Sequence, residues 1–517
     1  MHSIPHIFHY GEHRLTIEIA LSLCSGETKG VLTSSAIQRI DASRAAVDEI
    51  VDRQLTVYGI NTGFGSLCTT RISGDQVRQL QHNILKSHSV GTGPPIPLEI
   101  AKMMLILKVQ SLSYGYSGIC LTTLERILWH IEQEIIPLVP SQGSVGASGD
   151  LAPLSHLFLP LIGGGKCWYK DKWTDTAEIL KQEGKEPLSL DSKEGLALIN
   201  GTQFMAAFGV NIVDRLFNCL QHADIISAMM IEALLGSRNP FQPELHNLRP
   251  YGGNQEVARR IFRLLDNSEI LHSHLNCGKV QDPYSLRCIP QVHGASRNAW
   301  QHLREMIEVE LNSVTDNPLI FSADHTISGG NFHGQPIALP MDYATLAAAE
   351  IGNISDRRIY LSLLGESEGL PKLLMKHTGL NSGFMLVQYT SAALVSENKS
   401  LCYPASADSI PTSLGQEDHV SMGAISGRKA LQVIENVERI LAIELLCASQ
   451  AFDYRRPLKS SSALEACHHH IRQHIDHVEE DRVFSDDIDL AYKIIQGKML
   501  RKLTEPFLSH QPSGETS

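Results

Sequence analysis

The tripeptide Ala147-Ser148-Gly149 holds the atoms for an electrophile that no side chain can supply. A glycine nitrogen has no side chain beside it. Gly149 N can therefore fold back onto the carbonyl carbon of Ala147, close a five-membered ring and release water. If Ser148 then loses its hydroxyl, the ring gains an exocyclic methylidene, and the product is a methylidene-imidazolone made from the backbone. None of the usual side chains is a strong electrophile, so an enzyme that needs one borrows a cofactor or builds one. The same residues also read as a plain turn. Glycine-rich loops commonly redirect the chain or open a helix, Asp150 suits the cap of a helix starting at Leu151, and Pro153 suits its first turn. Two other catalytic patterns fail on spacing. A nucleophile elbow needs glycine two residues before and two after the serine, and Ser148 has Gly146 before it but Asp150 after it. A phosphate loop needs a Gly-Lys-Ser/Thr ending, which is absent.

Residues 143–156 read GSVGASGDLAPLSH. This stretch resembles the signature of the aromatic amino-acid ammonia-lyases, the histidine, phenylalanine and tyrosine ammonia-lyase family, in which Ala-Ser-Gly cyclises in this way. Six further blocks between Tyr58 and Gly423 carry the same resemblance, so it spans most of the chain. It implies a methylidene-imidazolone formed from Ala147, Ser148 and Gly149, with no external cofactor and no metal. It also implies Tyr58 as the catalytic base, with Tyr284 the second candidate. Asn200 and Gln281 would hold the ring carbonyl and the substrate amine, since amides both donate and accept. Arg287 would take the substrate carboxylate, for which a guanidinium is matched by its paired N–H groups. Phe332 and Met385 match pocket positions.

The family's branches differ at two places, and this chain has Ser87-His88 at one and Glu417 at the other, as in the histidine-acting branch. The pattern makes physical sense. A neutral imidazole has one donor and one acceptor nitrogen, so a carboxylate at Glu417 can accept its N–H while His88 serves the other side. A buried carboxylate facing only a phenyl ring would be unpaired, at a cost of several kcal/mol. The activity so implied is deamination of L-histidine to trans-urocanate and ammonia. The alternatives are an ammonia-lyase or aminomutase acting on phenylalanine or tyrosine, and an inactive helical scaffold. Family membership further implies a homotetramer with shared active sites. Pro283 and Gly415 stand in signature blocks where other residues also occur, and bear on the placement of Tyr284 and Glu417.

The elements that must position these residues read as helices. Segments 36–57 and 79–91, two helices within 98–138, and long helices over 202–235, 342–364 and 422–449 follow a helical apolar period. In the last, Leu431, Ile434, Val437, Leu441 and Leu445 form a buried stripe. Few strand signals appear, apart from a small hairpin in the polar insert 163–187. The glycine-rich segment 58–65 predicts a loop packed closely against something. The fold expected is all-α: a long-helix central bundle over 202–507, a smaller N-terminal part over 1–201 carrying the electrophile loop, and a disordered tail over 508–517. The resemblance implies the architecture of the fumarase-like bundle enzymes, although their GSSxMPxKxNP loop is absent.

Composition narrows the class. The chain has 517 residues, 43% of them apolar, and a net charge of −12, which argues against a nucleic-acid or anionic-membrane surface. Ten cysteines without CxxC spacing fit reduced thiols, and no apolar run approaches ~18–20 residues, so a cytoplasmic protein is expected. One further cluster stands apart. His470, His474 and His477, beside Cys467 and His468, would share a helical face as either a polar surface or a metal site; no HExxH core accompanies them.

Overall fold

Helix ends follow from local chemistry. The Thr33 hydroxyl accepts the Ala36 N–H at 3.1 Å and starts the helix Ser34–Asp52, on which Ala36, Ile40, Val47 and Ile50 are buried at helical spacing. Ser461 does the same for Ser462–Arg472, accepting from Leu464 N at 3.2 Å. The computed structural model describes residues 6–60, 62, 74–275 and 278–509. Helices dominate it, and its strands are two to four residues long. The expected hairpin is present as Lys166–Tyr169 and Lys172–Asp175, with Trp168 opposite Trp173 and Ile136–Pro137 adding a third antiparallel strand. Its two-residue turn, Lys170-Asp171, has positive φ at both positions, the twist that suits a tight hairpin. No helix among the described residues is long and apolar enough to cross a membrane.

Contacts divide the chain into two compact units. The first comprises Met1–Val213, Leu303–Asp342 and Pro404–Arg428; the second comprises Asp214–His302, Tyr343–Tyr403 and Lys429–Ser517. In the first, the helix Leu98–Leu112 is buried on every side from Ile100 onward, and therefore carries almost no amphipathic pattern. Its Lys108 is buried too, and burial pushes that ammonium down to about 7. In the second unit the predicted stripe Leu431, Ile434, Val437, Leu441 and Leu445 is buried throughout. Charge is buried there as well. Arg358 and Glu444 have no exposed side-chain surface, and Arg358 Nη2 donates to Glu444 Oε2 at 2.9 Å. Asp224 accepts from Arg260 Nε at 2.8 Å, Arg297 Nη2 at 2.7 Å and His293 Nδ1 at 3.0 Å. Burial pushes the Asp224 carboxyl up, but Arg297, His293 and Arg260 outweigh it and hold it at about 2.

Several boundaries differ from expectation. The helix expected over 202–235 runs Gln203–Ala233, and that over 422–449 runs Gly423–Asp453. The helix expected from 342 begins earlier, as Gln335–Leu363. It keeps Pro340 inside, and a proline there forfeits one backbone bond without ending an otherwise well-packed helix. The tail expected over 508–517 is helical at 508 and 509, within Met499–Ser509; 510–517 lie outside the described residues. So do 1–5, 61, 63–73 and 276–277, which take in part of the 58–65 segment and two of the ten cysteines. What remains of the 58–65 loop is tightly held: Gly59 and Ile60 are buried, and Gly59 N–H donates to Thr62 Oγ1 at 3.1 Å.

Removing one partner of the Arg358–Glu444 pair should leave a buried charge uncompensated. Glu444→Leu is expected to cost about 3–5 kcal/mol, read as a lower urea midpoint. Arg358→Met/Glu444→Leu should recover most of it, and an equal loss in the double variant would trace the damage to packing rather than charge.

Candidate active site

The Ala147-Ser148-Gly149 tripeptide is held from both ends by backbone. On one side Met422 N–H donates to Val145 O at 3.0 Å and Ser421 N–H to Gly146 O at 3.5 Å, just before the helix Gly423–Asp453 begins. On the other, Asp150 N–H donates to Gly201 O at 2.8 Å and Gly201 N–H to Ser148 O at 3.4 Å, just before Gln203–Ala233 begins. Both turning points require glycine. Gly146 has φ +69°, and a Cβ there would lie 2.2 Å from Ser421 Oγ; Gly149 has φ +78°, and a Cβ there would lie 2.1 Å from Gly201 O. The backbone thus takes left-handed conformations at Gly146 and Gly149, on either side of Ala147-Ser148.

Asp150 does not cap the helix Leu151–Phe158, as its position in sequence suggested. Its φ/ψ of −104°/54° lie outside the extended region that a capping side chain uses, and it makes no side-chain cap bond to that helix. Its Oδ2 instead accepts the Met205 N–H at 3.0 Å, in the first turn of Gln203–Ala233, and its Oδ1 accepts from Ser144 Oγ at 3.4 Å. Asp150 is completely buried, and burial pushes its carboxyl up to about 7 against these hydrogen bonds. A polar network lies behind the loop. Lys108 Nζ donates to the Asn200 carbonyl, and Asn200 Nδ2 donates to Asn317 O at 2.8 Å and Asp316 Oδ1 at 3.3 Å. Lys193, itself fully buried, donates to Asp316 Oδ2 at 2.7 Å. Gln203 Nε2 donates to Thr315 Oγ1 at 2.9 Å. Lys108 and Lys193 were missed from sequence. For Lys108 the available signal was a lysine in an apolar helical run, costly unless it is bonded; Lys193, in the polar stretch Asp191-Ser192-Lys193-Glu194, carried no such signal.

Two cavities open beside the tripeptide and share Ala147 and Glu417 in their walls. One, of about 570 Å³, is lined also by Tyr58, Ser148, Asn317, Phe332 and His333. The other, of about 240 Å³, is lined also by Ser87, His88, Gly149 and Thr412. Seven of the predicted site residues therefore meet here: Tyr58, His88, Ala147, Ser148, Gly149, Phe332 and Glu417. Glu417 is fixed by a tight loop. Thr412 N–H donates to Glu417 O at 2.9 Å, Gly415 N–H donates to Thr412 O at 3.0 Å, and Thr412 Oγ1 donates to Glu417 Oε2 at 2.9 Å. The positive φ of Gly415, +86°, belongs to this loop. The other carboxylate oxygen, Oε1, accepts from Ser148 Oγ at 3.0 Å. His88 ends the helix Gly74–His88, which is tied to the segment before Asn200 because Gln81 Oε1 accepts the Gly195 N–H at 2.9 Å. Just beyond it, Gly91 N–H donates to His156 Nε2 at 3.0 Å, so the loop's own helix fixes the His88 segment. Burial holds the His88 ring below the ordinary histidine value; Ile84 and the negative Glu417 pull the other way.

Asn200 is buried behind the loop rather than in either cavity wall. Gln281, Tyr284, Arg287 and Met385 belong to the second unit. Tyr284 is 70% exposed there, with the Arg287 guanidinium 4.4 Å from its ring centroid and Arg287 Nε donating to Asp282 O at 2.9 Å. Gln281 lines a separate cavity of about 290 Å³ with Ser237, Lys279 and Asp282, and Met385 opens the helix Met385–Leu401. The histidine cluster does not share one helical face, because Ser462–Arg472 ends before His474. His477 Nδ1 and His468 Nε2 instead lie 2.7 and 2.8 Å from the two oxygens of Asp453. Among the described residues, Cys120, Asp191 and Glu194 bring potential ligand atoms within 4.8 Å of one another. Both Glu194 oxygens already accept backbone N–H groups there, and burial pushes the Cys120 thiol up to about 12.

A family model for aromatic amino acid lyases matches residues 15–473. Among known proteins, the chain is 46% identical to the histidine ammonia-lyase of Natranaerobius thermophilus over 91% of this chain and 94% of that one. Among solved structures it is similar to histidine ammonia-lyase from Trypanosoma cruzi, with 42% identity, a TM-score of 0.89 and 99% of each chain covered. It is also similar to tyrosine aminomutase from Streptomyces globisporus, with 35% identity, a TM-score of 0.92, and 98% of this chain and 99% of that one covered. The fold is thus that of one enzyme class, and the chain belongs to the aromatic amino acid lyase family. It is a carbon–nitrogen lyase.

Two titrations test the electrostatics. Asp150 binds its proton more tightly folded, at about 7, than as a free carboxyl, near 3.8. Its contribution to stability is therefore full at low pH and is lost as the pH rises from about 4 to about 7. Asp150→Asn should flatten the stability profile in that window, and an unchanged slope would place the proton elsewhere. Glu417 opposes the depression of His88, so Glu417→Gln should lower the His88 ring pKa further, as followed by NMR of the ring carbons.

Proposed function

We propose that the chain is a histidine ammonia-lyase, converting L-histidine to trans-urocanate and ammonia as the first step of histidine degradation, and that it works in the cytoplasm as a homotetramer with shared active sites. The observation that carries the reading is the placement of Glu417 and His88 in a cavity wall beside Ala147 and Gly149. The fold is common to a tyrosine aminomutase, so the substrate is argued from these two side chains and not from the architecture. A carboxylate and an imidazole offer complementary hydrogen bonds to a substrate imidazole, whereas a phenyl ring could not partner the Glu417 oxygen that Thr412 leaves uncommitted.

The surroundings of the tripeptide fit a methylidene-imidazolone. Gly149 approaches Gly201 O too closely for any side chain, and the backbone is bent on both sides of Ser148. The ring supplies an electrophilic carbon that turns the substrate amine into a workable leaving group. The chain's own residues do the rest. Tyr58 takes the β-proton, a task for which a phenol needs its pKa drawn towards the working pH; Tyr284 is the second candidate. Asn200, held by Asp316 and Asn317, would orient the ring carbonyl and the amine together with Gln281, which the homotetramer would bring from a neighbouring subunit. Arg287 receives the carboxylate through paired N–H groups. Phe332 and Met385 complete the apolar part of the pocket.

Purified protein incubated with L-histidine should yield urocanate, followed by ultraviolet absorbance, and no cinnamate or coumarate from phenylalanine or tyrosine. Product from either of those instead would keep the electrophile and overturn the imidazole pocket. Ser148→Ala should abolish turnover, and full activity in that variant would end the ring proposal.

A further inference from the structure

The contact between Ser148 and Glu417 has a chemical direction of its own. Ser148 Oγ donates to Glu417 Oε1 at 3.0 Å, across 269 positions of sequence, and that hydroxyl is the one that must leave when the tripeptide matures. The carboxylate is not loosely placed. Thr412 Oγ1 holds the second oxygen at 2.9 Å, and backbone bonds in both directions between Thr412 and Glu417 fix the loop that carries it. Glu417 is half-buried and lines both cavities at the tripeptide.

We propose that Glu417 is a catalytic residue of maturation, removing the second water, from Ser148, in addition to its place in the substrate pocket; this rests on the ring assigned above. The atoms balance as follows. Gly149 N bonds to the Ala147 carbonyl carbon, and its proton passes to the carbonyl oxygen. That oxygen leaves as the first water with the proton of Ser148 N, and a C=N bond results. Ring closure acidifies the Ser148 Cα–H. The Glu417 carboxylate takes that proton, and the C–H electron pair becomes the Cα=Cβ bond. The Cβ–Oγ bond breaks, and the proton is returned to Oγ, which departs as the second water. The carboxylate is regenerated with no oxidant or co-reactant. Departure of the hydroxyl also frees Oε1, the oxygen then available to accept an imidazole N–H. One carboxylate thus serves in succession to build the electrophile and to recognise the substrate.

The test reads mass, not turnover. Wild-type, Glu417→Gln, Glu417→Asp and Thr412→Val chains are expressed in pulses, and intact mass is followed with time alongside circular dichroism. The wild type should become two waters lighter. Glu417→Gln should accumulate one water lighter, with the second loss slowed about a hundredfold, the low end of what a positioned acid–base group contributes. Thr412→Val, which only loosens the carboxylate, should mature measurably more slowly than wild type but completely. Glu417→Gln that loses both waters at the wild-type rate would overturn the proposal. If that variant does not fold, Glu417→Asp and Thr412→Val decide, and wild-type rates in both overturn it equally. A wild-type chain of full mass would instead remove the ring itself, so the two readings fail separately.

Discussion

The first unit depends on one short piece of backbone pairing, in which Ser148, Gly149 and Asp150 run beside Gly201. The approach is closer than any side chain permits, so both strands must be bare at that point. From Gly201 the constraint spreads outward. Asn200 before it is locked to Asp316 and Asn317, and Gln203 after it to Thr315. The first turn of the long helix that follows donates its Met205 N–H to the Asp150 carboxyl. A loop that would otherwise be mobile is thereby fixed on rigid elements, as a reactive site needs.

The groups behind the loop are polar although they are buried. A fully buried pair such as Lys193–Asp316 contributes little net stability, because desolvation offsets most of the attraction. What it supplies is direction. With Asp316 Oδ2 committed to Lys193, Oδ1 is left to orient the Asn200 amide. An apolar replacement could fill the space but could not aim an amide. The same logic holds for Glu417, whose Oε2 is committed to Thr412 so that Oε1 points to Ser148.

Much of this was legible in the sequence. The all-helical class and the long helices followed from period, to within a few residues at most ends, because amphipathic stripes such as Leu431 to Leu445 are dictated by burial on one face. The tripeptide, His88 and Glu417 were legible because their residue types carry chemistry at matching blocks. The partners that fix them were not. Asp150 looks like the cap of the helix it precedes, and only the fold reveals that it serves the helix beginning at Gln203. Lys108 and Lys193 act through contacts 92 and 123 positions away. Local pattern contains no information about such distant pairings, nor about which later segments, 303–342 and 404–428, return to the first unit. The histidine cluster failed for the opposite reason: its spacing implied a helical face, but the helix stops at Arg472.

The two backbone clamps on the tripeptide come from very different distances along the chain. Gly201 follows it by some fifty positions, whereas Ser421 and Met422 follow it by more than two hundred and seventy. On a ribosome the tripeptide emerges early, is gripped on one side as residue 201 appears, and remains open on the other until most of the chain has been made. Both clamps are in place only then. The conformation of the tripeptide is therefore a property of the folded unit, out of reach of any fragment that ends before residue 421.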